Sequence, residues 1–303
     1  PIEVDRLDDS LGELAEAVLA FEQAKGASPE VPETWLNLGN ALRELGRLED
    51  AAEALTHANV LRPGWPEAQW NLALTDLGRG RLAEGWRGYE SRFAVTAASD
   101  GADLGVPRWA GEPLEGRSLL VWPEQGVGDE ILFATCIPDL VALGAQVTLV
   151  VDPRLEGLHG RAFPDVRVLA AVPQGRGGYD YQAPLGSLPG MLRRTRNDFR
   201  PRWSHLVPAR DLLARWAARM GALGPGIRIG VCWRSGVVTG ERRRYYPELT
   251  DWYRLFELPG LTFVNLQYDD CAEEMRRISA ATGARIHQWD DVDLKNDLEA
   301  VAA

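Results

Sequence analysis

Two short stretches hold the residues whose types and spacing could do chemistry. In PEQGVGDEILF (123–133), Glu124, Gln125, Gly126, Gly128 and Asp129 follow the apolar run SLLVW. The order is strand, glycine loop, acid, apolar helix. An acid at a helix N-terminus is favoured as the carboxylate by the helix dipole. Asp129 is therefore suited to take a proton from a hydroxyl brought to the loop, and the glycines let a substrate come close to the backbone. A plain helix cap accounts for Asp129 equally well. A dinucleotide is a third reading: Gly126-x-Gly128 is half of the glycine fingerprint, and Asp152 closes the next strand 24 residues after Gly128. Against it, the third glycine position holds Ile131, and Asp129 and Glu130 would repel a pyrophosphate at the helix start. No Gly-Lys-Ser/Thr follows, so a P-loop is excluded.

The second stretch is CWRSGVVTGERRRYYPEL (232–249). A strand delivers Trp233, Arg234 and Ser235 at its carboxyl end, then come a glycine-rich turn, Arg242 to Arg244, and Tyr246. This is the densest basic spot in a chain of net charge −11. The planar guanidinium fork suits a diphosphate, and Trp233, Tyr245 and Tyr246 could stack on a base or sugar. Gln267, closing the next strand, faces the same edge. A solvated charge run on a surface loop is the plain alternative.

The elements that must position these residues fall into two kinds. The first ~95 residues repeat with a period of 34, the length of a tetratricopeptide unit. Gly12, Gly46 and Gly80 are in register, as are Leu14, Leu48 and Leu82, and Phe21, Leu55 and Tyr89. The middle unit is complete, with Trp35, Leu38, Gly39, Ala51, Leu55, Ala58 and Pro63 at the packing positions, whereas the first keeps only its second helix. Small residues let two antiparallel helices approach, and each unit buries its face only against a neighbour. The concave face is the expected protein-binding surface, unless the units merely pack on the next domain. After residue 95 the period changes. A linker (96–117) leads to alternating β-branched and helical runs, read as a parallel α/β domain over 118–204 with one helix near 128–143. A second α/β set, expected to be incomplete, occupies 205–303. Each parallel sheet would present its carboxyl edge to a ligand.

Composition narrows the classes. The acidic balance argues against a general nucleic-acid binder. No run approaches the ~20 apolar residues of a membrane span. The start lacks both Met and the layout of a signal peptide, so a trimmed chain is expected. Cys136, Cys232 and Cys271 are scattered and the four His do not cluster, which points to a reducing, cytoplasmic setting and no metal site.

RWAGEPLEGRSLLVWPEQGVGDEILFA and GIRIGVCWRSG…RRRYYPEL…FVNLQYDD, together with RLAEGWRGYESRF at 81–93, resemble the bacterial tetratricopeptide-linked glycosyltransferases. These are similar to lipopolysaccharide heptosyltransferases and, more remotely, to O-linked N-acetylglucosamine transferases. The resemblance runs in order along essentially the whole chain. It implies the glycosyltransferase B (GT-B) fold, with two Rossmann-like domains after the repeats. It further implies an inverting, metal-independent transfer from a nucleotide-sugar, which is a co-substrate; no cofactor is implied. Asp129 is then the base, with Glu124, Gln125, Gly126 and Gly128 in the acceptor loop. Trp233, Arg234, Ser235, Arg244, Tyr246 and Gln267 lie on the donor side. The acceptor would be a protein or glycan recruited by the repeats. Through the resemblance, flagellin or another surface protein is a candidate acceptor, and nothing in these residues selects one. Family members carry a further donor-contacting strand and helix that this sequence does not contain. A non-catalytic adaptor with a degenerate transferase-like part is therefore the second expectation.

Overall fold

The structure, a computed structural model, describes residues 2–95, 105–173, 178–199, 205–235 and 246–303. It is α plus α/β, with helical repeats followed by two parallel sheets. Helix α1 (Ile2–Ala27) precedes two helical pairs, α2 (Pro32–Glu44) with α3 (Leu48–Leu61) and α4 (Pro66–Gly78) with α5 (Leu82–Tyr89); a single turn, α6 (Arg92–Val95), follows. Both pairs open with proline in the first turn, where a missing N–H costs nothing. Gly46 and Gly80 end α2 and α4 at φ 75°. Their amides, and those of Arg47 and Arg81, satisfy the last helical carbonyls, as in a Schellman turn. Gly12 shares their register but lies inside the continuous α1, so the first unit has no turn there. Gly39 is where α2 and α3 meet most closely: a β-carbon on it would sit 2.5 Å from Leu55 Cγ. Leu38, Leu42, Ala51 and Ala54 fill that seam with Val18, Phe21 and Trp35.

The first sheet is all parallel, in the order β3 (Arg167–Leu169), β2 (Gln146–Val150), β1 (Ser118–Trp122), β4 (Tyr181–Pro184). β1 is central and its last four residues are buried, as expected of a parallel strand covered on both faces. The helix expected over 128–143 is broken into α7 (Val127–Phe133), a 3-10 turn and α8 (Ile137–Ala142). Pro138, in the first turn of α8, cannot continue the hydrogen-bond ladder of α7. α9 (Glu156–Ala162) and α10 (Leu188–Leu192) follow β2 and β4.

The second sheet has three parallel strands in the order β5 (Ile227–Val231), β6 (Leu261–Asn265), β7 (Ile286–His287). It is accompanied by α11 (Arg210–Gly221), α12 (Tyr253–Phe256), α13 (Ala272–Thr282) and α14 (Leu298–Ala302). Val231, Trp233, Phe256, Phe263, Cys271 and Ile278 form its core.

The chain divides into two compact units. One holds residues 8–153 and 163–205, so it contains the helical pairs and the first sheet together; the other includes 154–162 and 206–303. Within the second unit α9 is tied by Arg161, which donates to Val207 O at 2.7 Å and pairs with Glu299. Among the described residues no helix is long and apolar enough to cross a membrane.

Candidate functional site

In an open parallel sheet the ligand position is the carboxyl edge where strand order reverses. In the first sheet this point lies between β1 and β4, and the residues emerging there are Pro123–Gly126 and Leu185–Ser187. The repeats reach into it. Arg92, 2% exposed, directs its guanidinium at Glu124, whose side chain is 1% exposed. Nη2 and Nε donate to Glu124 Oε1 at 2.8 and 3.2 Å. Nη2 also donates to Ser187 Oγ at 2.8 Å, and Nη1 to Glu90 Oε1 at 2.8 Å and Tyr89 O at 3.1 Å. Glu124 Oε1 accepts in addition from the Gly186 amide at 3.2 Å. A β-carbon on Gly186 would lie 2.5 Å from that oxygen, so the approach requires glycine. Arg92 therefore pairs across the reversal point itself, which opposes the dinucleotide reading of this loop.

Gln125 is engaged in the same way. Its Nε2 donates to the Tyr89 hydroxyl at 2.9 Å and its Oε1 lies 3.1 Å from the same oxygen. Burial pushes the Tyr89 phenol up, the Gln125 bond opposes this, and the charges of Asp129 and Glu124 add to the rise. Tyr89 also meets Phe133 of α7 edge-on at 6.3 Å, within an aromatic group that includes Trp70 and Trp86.

The remaining loop residues face outward. Gly126 is the N-cap of α7 at φ −74°, and Asp129 follows in the first turn, so Asp129 is not the cap residue. Its carboxylate is exposed and, among the described residues, has no hydrogen-bond or ion-pair partner. Nothing lies within 4 Å of a β-carbon built on Gly128, which leaves open space beside it. The adjacent acid has the opposite fate: Glu130 is buried and accepts the Asp152 amide at 3.1 Å on both oxygens.

At the second sheet, Gln267 organises the edge. It is 2% exposed. Its Oε1 accepts from the amides of Trp233 and Arg234, each at 3.2 Å, and its Nε2 donates to Arg234 O at 2.9 Å and Asp269 Oδ1 at 2.7 Å. It thus clamps the chain leaving β5. The Trp233 ring is buried in the core, with Nε1 donating to Glu274 Oε1 at 3.2 Å. Arg234 donates to both oxygens of Glu274, at 2.9 and 2.7 Å, and to Asp270 O at 3.0 Å, and it pairs with Asp269. The Glu274 bond, followed by that of Asp269, raises the guanidinium above its usual value. Arg234 in turn holds the Glu274 carboxyl below its usual range against the opposing effect of burial. Ser235 Oγ lies 3.0 Å from the Tyr268 hydroxyl. Tyr246 is half-buried, and Arg244 lies outside the described residues. Among the described residues no group of three or more His, Cys, Asp or Glu could hold a metal ion.

The structure thus brings Glu124, Gln125, Gly126, Gly128 and Asp129 together at one sheet edge, and Trp233, Arg234, Ser235 and Gln267 at the other. Sequence reasoning missed Arg92, Tyr89 and Gly186 at the first edge, and Asp269 and Glu274 at the second. One signal was available. Arg92 stands 34 residues after Ala58, at a position where the middle unit buries a small residue. A charge there needs a buried partner.

No model of a known protein family matches the chain. It is similar to Protein FlbA of Caulobacter vibrioides, 36% identical over 317 aligned residues that cover 97% of this chain and 53% of the relative. The chain thus spans about half the length of the curated relative it matches. Among solved structures, a mutant of the O-GlcNAc transferase of Thermobaculum terrenum aligns over 95% of this chain and 75% of its own, at 15% identity and a TM-score of 0.27. A score of that size does not establish a shared fold.

Proposed function

We propose that the protein is a glycosyltransferase of the GT-B kind, moving a sugar from a nucleotide-sugar to a hydroxyl acceptor, with Asp129 as the base. The observation that carries this reading is the state of the three loop acids. The Glu124 side chain and Glu130 are buried and hydrogen-bonded, whereas Asp129 is exposed and, among the described residues, unpartnered, beside the open space at Gly128. An unpartnered carboxylate in the first turn of a helix at a sheet's carboxyl edge is equipped to accept a proton. In the proposed step the acceptor oxygen attacks the anomeric carbon and gives its proton to Asp129. The bond from that carbon to the diphosphate breaks, its electron pair leaving with the nucleotide, and the sugar configuration inverts. Ser235, Arg244 and Tyr246 are the proposed donor contacts, and Gln267 holds the chain at Trp233 and Arg234 as it leaves β5. Arg234 reaches the diphosphate by exchanging its carboxylate partners for phosphate oxygens. The repeats recruit a protein or glycan acceptor.

A second reading has its own support. Arg234 is already neutralised by Glu274 and Asp269, and a diphosphate must displace them. An adaptor with a degenerate transferase-like part would retain such closed ion pairs. Calorimetric titration of the full-length protein with UDP, GDP, ADP, CMP and their sugar conjugates separates the two. Saturable binding of one nucleotide, weakened in Arg244→Ala, is expected for the transferase. Absence of binding across the panel selects the adaptor. With the donor in hand, Asp129→Asn should abolish transfer and leave donor affinity within about twofold; transfer retained in that variant removes Asp129 from the role.

A further inference from the structure

We infer that Tyr89 and Arg92, at the end of the last repeat, are positioning residues for the Asp129 loop, so that the repeats form part of the site as well as recruiting to it. This rests on the reading of Asp129 as the base. The argument starts from α7. A helix of seven residues is marginal by itself, and no side chain caps its N-terminus. Its orientation must come from tertiary contacts. Glu130 of α7 accepts the Asp152 amide and His205 Nε2 lies 2.8 Å from Ile131 O; the contacts that flank Asp129 come from one short stretch of the repeat array. On the strand side of Asp129, four residues earlier, Gln125 is bonded to the Tyr89 hydroxyl. On the helix side, four residues later, the Phe133 ring meets the same tyrosine and Trp86, at 6.3 and 6.1 Å. One residue further back, Glu124 is locked by Arg92 and the Gly186 amide. Both flanks of Asp129 are thereby pinned to Tyr89 and Arg92, while Asp129 itself has no hydrogen-bond or ion-pair partner among the described residues.

The contacts are also of the kind that fix geometry. Arg92 makes bonds in several directions from a fully buried guanidinium, lying over the rings of Tyr89 and Phe93 at 4.6 and 4.1 Å. Such a fork tolerates little rotation. A repeat array that only delivered an acceptor would need no buried charge at its junction with the loop.

The decisive variant is Tyr89→Phe, which keeps every ring contact and removes only the hydroxyl that Gln125 holds. Glu124→Gln is the second, keeping shape and removing the charge. Hydrogen–deuterium exchange of the full-length protein reads the loop without any substrate. Exchange at residues 126–130 is expected to rise at least about tenfold in Tyr89→Phe, with 119–122 of β1 unchanged. Unchanged loop exchange in both variants overturns the inference. Steady-state kinetics then separates positioning from simple support. A misplacement of the base on the order of 1 Å should lower kcat roughly 10- to 100-fold and leave donor affinity as in the parent. Unaltered kcat in Tyr89→Phe, where Asp129→Asn is inactive, overturns the inference and preserves the base. Transfer that survives in Asp129→Asn overturns the base, and the exchange result alone then decides whether the repeats hold the loop.

Discussion

Removing the Glu124 carboxylate is the sharpest probe of how the repeats and the first sheet are joined. In Glu124→Ala the Arg92 guanidinium, 2% exposed, loses the acceptor of two of its hydrogen bonds, and the Gly186 amide loses its side-chain acceptor. Breaking a buried ion pair from one side costs about 3–5 kcal/mol, because the remaining charge stays out of water. Glu90 still neutralises part of that charge, which favours the lower half of the range. For a unit of this size each kcal/mol moves the melting midpoint by about 2–4 °C, so a fall of roughly 6–15 °C is expected by differential scanning calorimetry. Replacing both partners, Arg92→Met with Glu124→Leu, removes the stranded charge. Its cost should fall well short of the sum of the two single changes, with a coupling of about 2 kcal/mol or more. Glu53→Ala, on the exposed face of α3, is the control and should stay within about 0.5 kcal/mol of the parent. A Glu124→Ala protein melting within about 2 °C of the parent would refute the reasoning, since the pair would then be solvated or replaceable.

Two further outcomes test the packing and the second edge. Gly39→Ala should cost about 1–3 kcal/mol in thermal melts, because the added carbon would sit 2.5 Å from Leu55 Cγ and must part α2 from α3; a neutral result would mean that the seam is slack. The Glu274 carboxyl, held low chiefly by Arg234, contributes stability that is present above its unfolded value near 4.5 and is lost as pH falls through its lower folded value. Glu274→Gln should therefore flatten the acid limb of stability against pH for the unit that contains it, and an unchanged limb would remove the pair from that role.

Much of the fold was legible because local rules fix it. The repeat register follows from residues that touch within one helical pair, and the turns at Gly46 and Gly80 need only a left-handed glycine. Gly12 shows the limit of the same rule: an identical residue in register lies within α1, because a glycine permits a turn and does not impose one. The break between α7 and α8 was likewise available in Pro138, which the apolar periodicity on either side concealed. At the site, Asp129 and its place at a helix start could be read directly. The fates of Glu124 and Gln125 could not, since their partners Arg92 and Tyr89 lie 32 and 36 residues away. No spacing rule links a repeat helix to a strand's carboxyl edge across that distance.

The two sheet edges present opposite electrostatic designs, and the difference bears on how each would work. At the first, the protein supplies its own cation: Arg92 neutralises Glu124, and among the described residues Asp129 is left as the unpartnered loop carboxylate. On the proposed reading, an entering hydroxyl would meet a base that requires no prior rearrangement. At the second, the protein supplies its own anions: Glu274 and Asp269 occupy the fork of Arg234 before any phosphate arrives. On the same reading, a diphosphate entering there would have to exchange with carboxylates already in place, so part of its binding energy would go into opening the Arg234 pairs. Gln267 limits how far that opening can travel. It holds the amides of Trp233 and Arg234 through the backbone, independently of where the guanidinium points. The side chain of Arg234 can therefore change partners while the chain leaving β5 keeps its course.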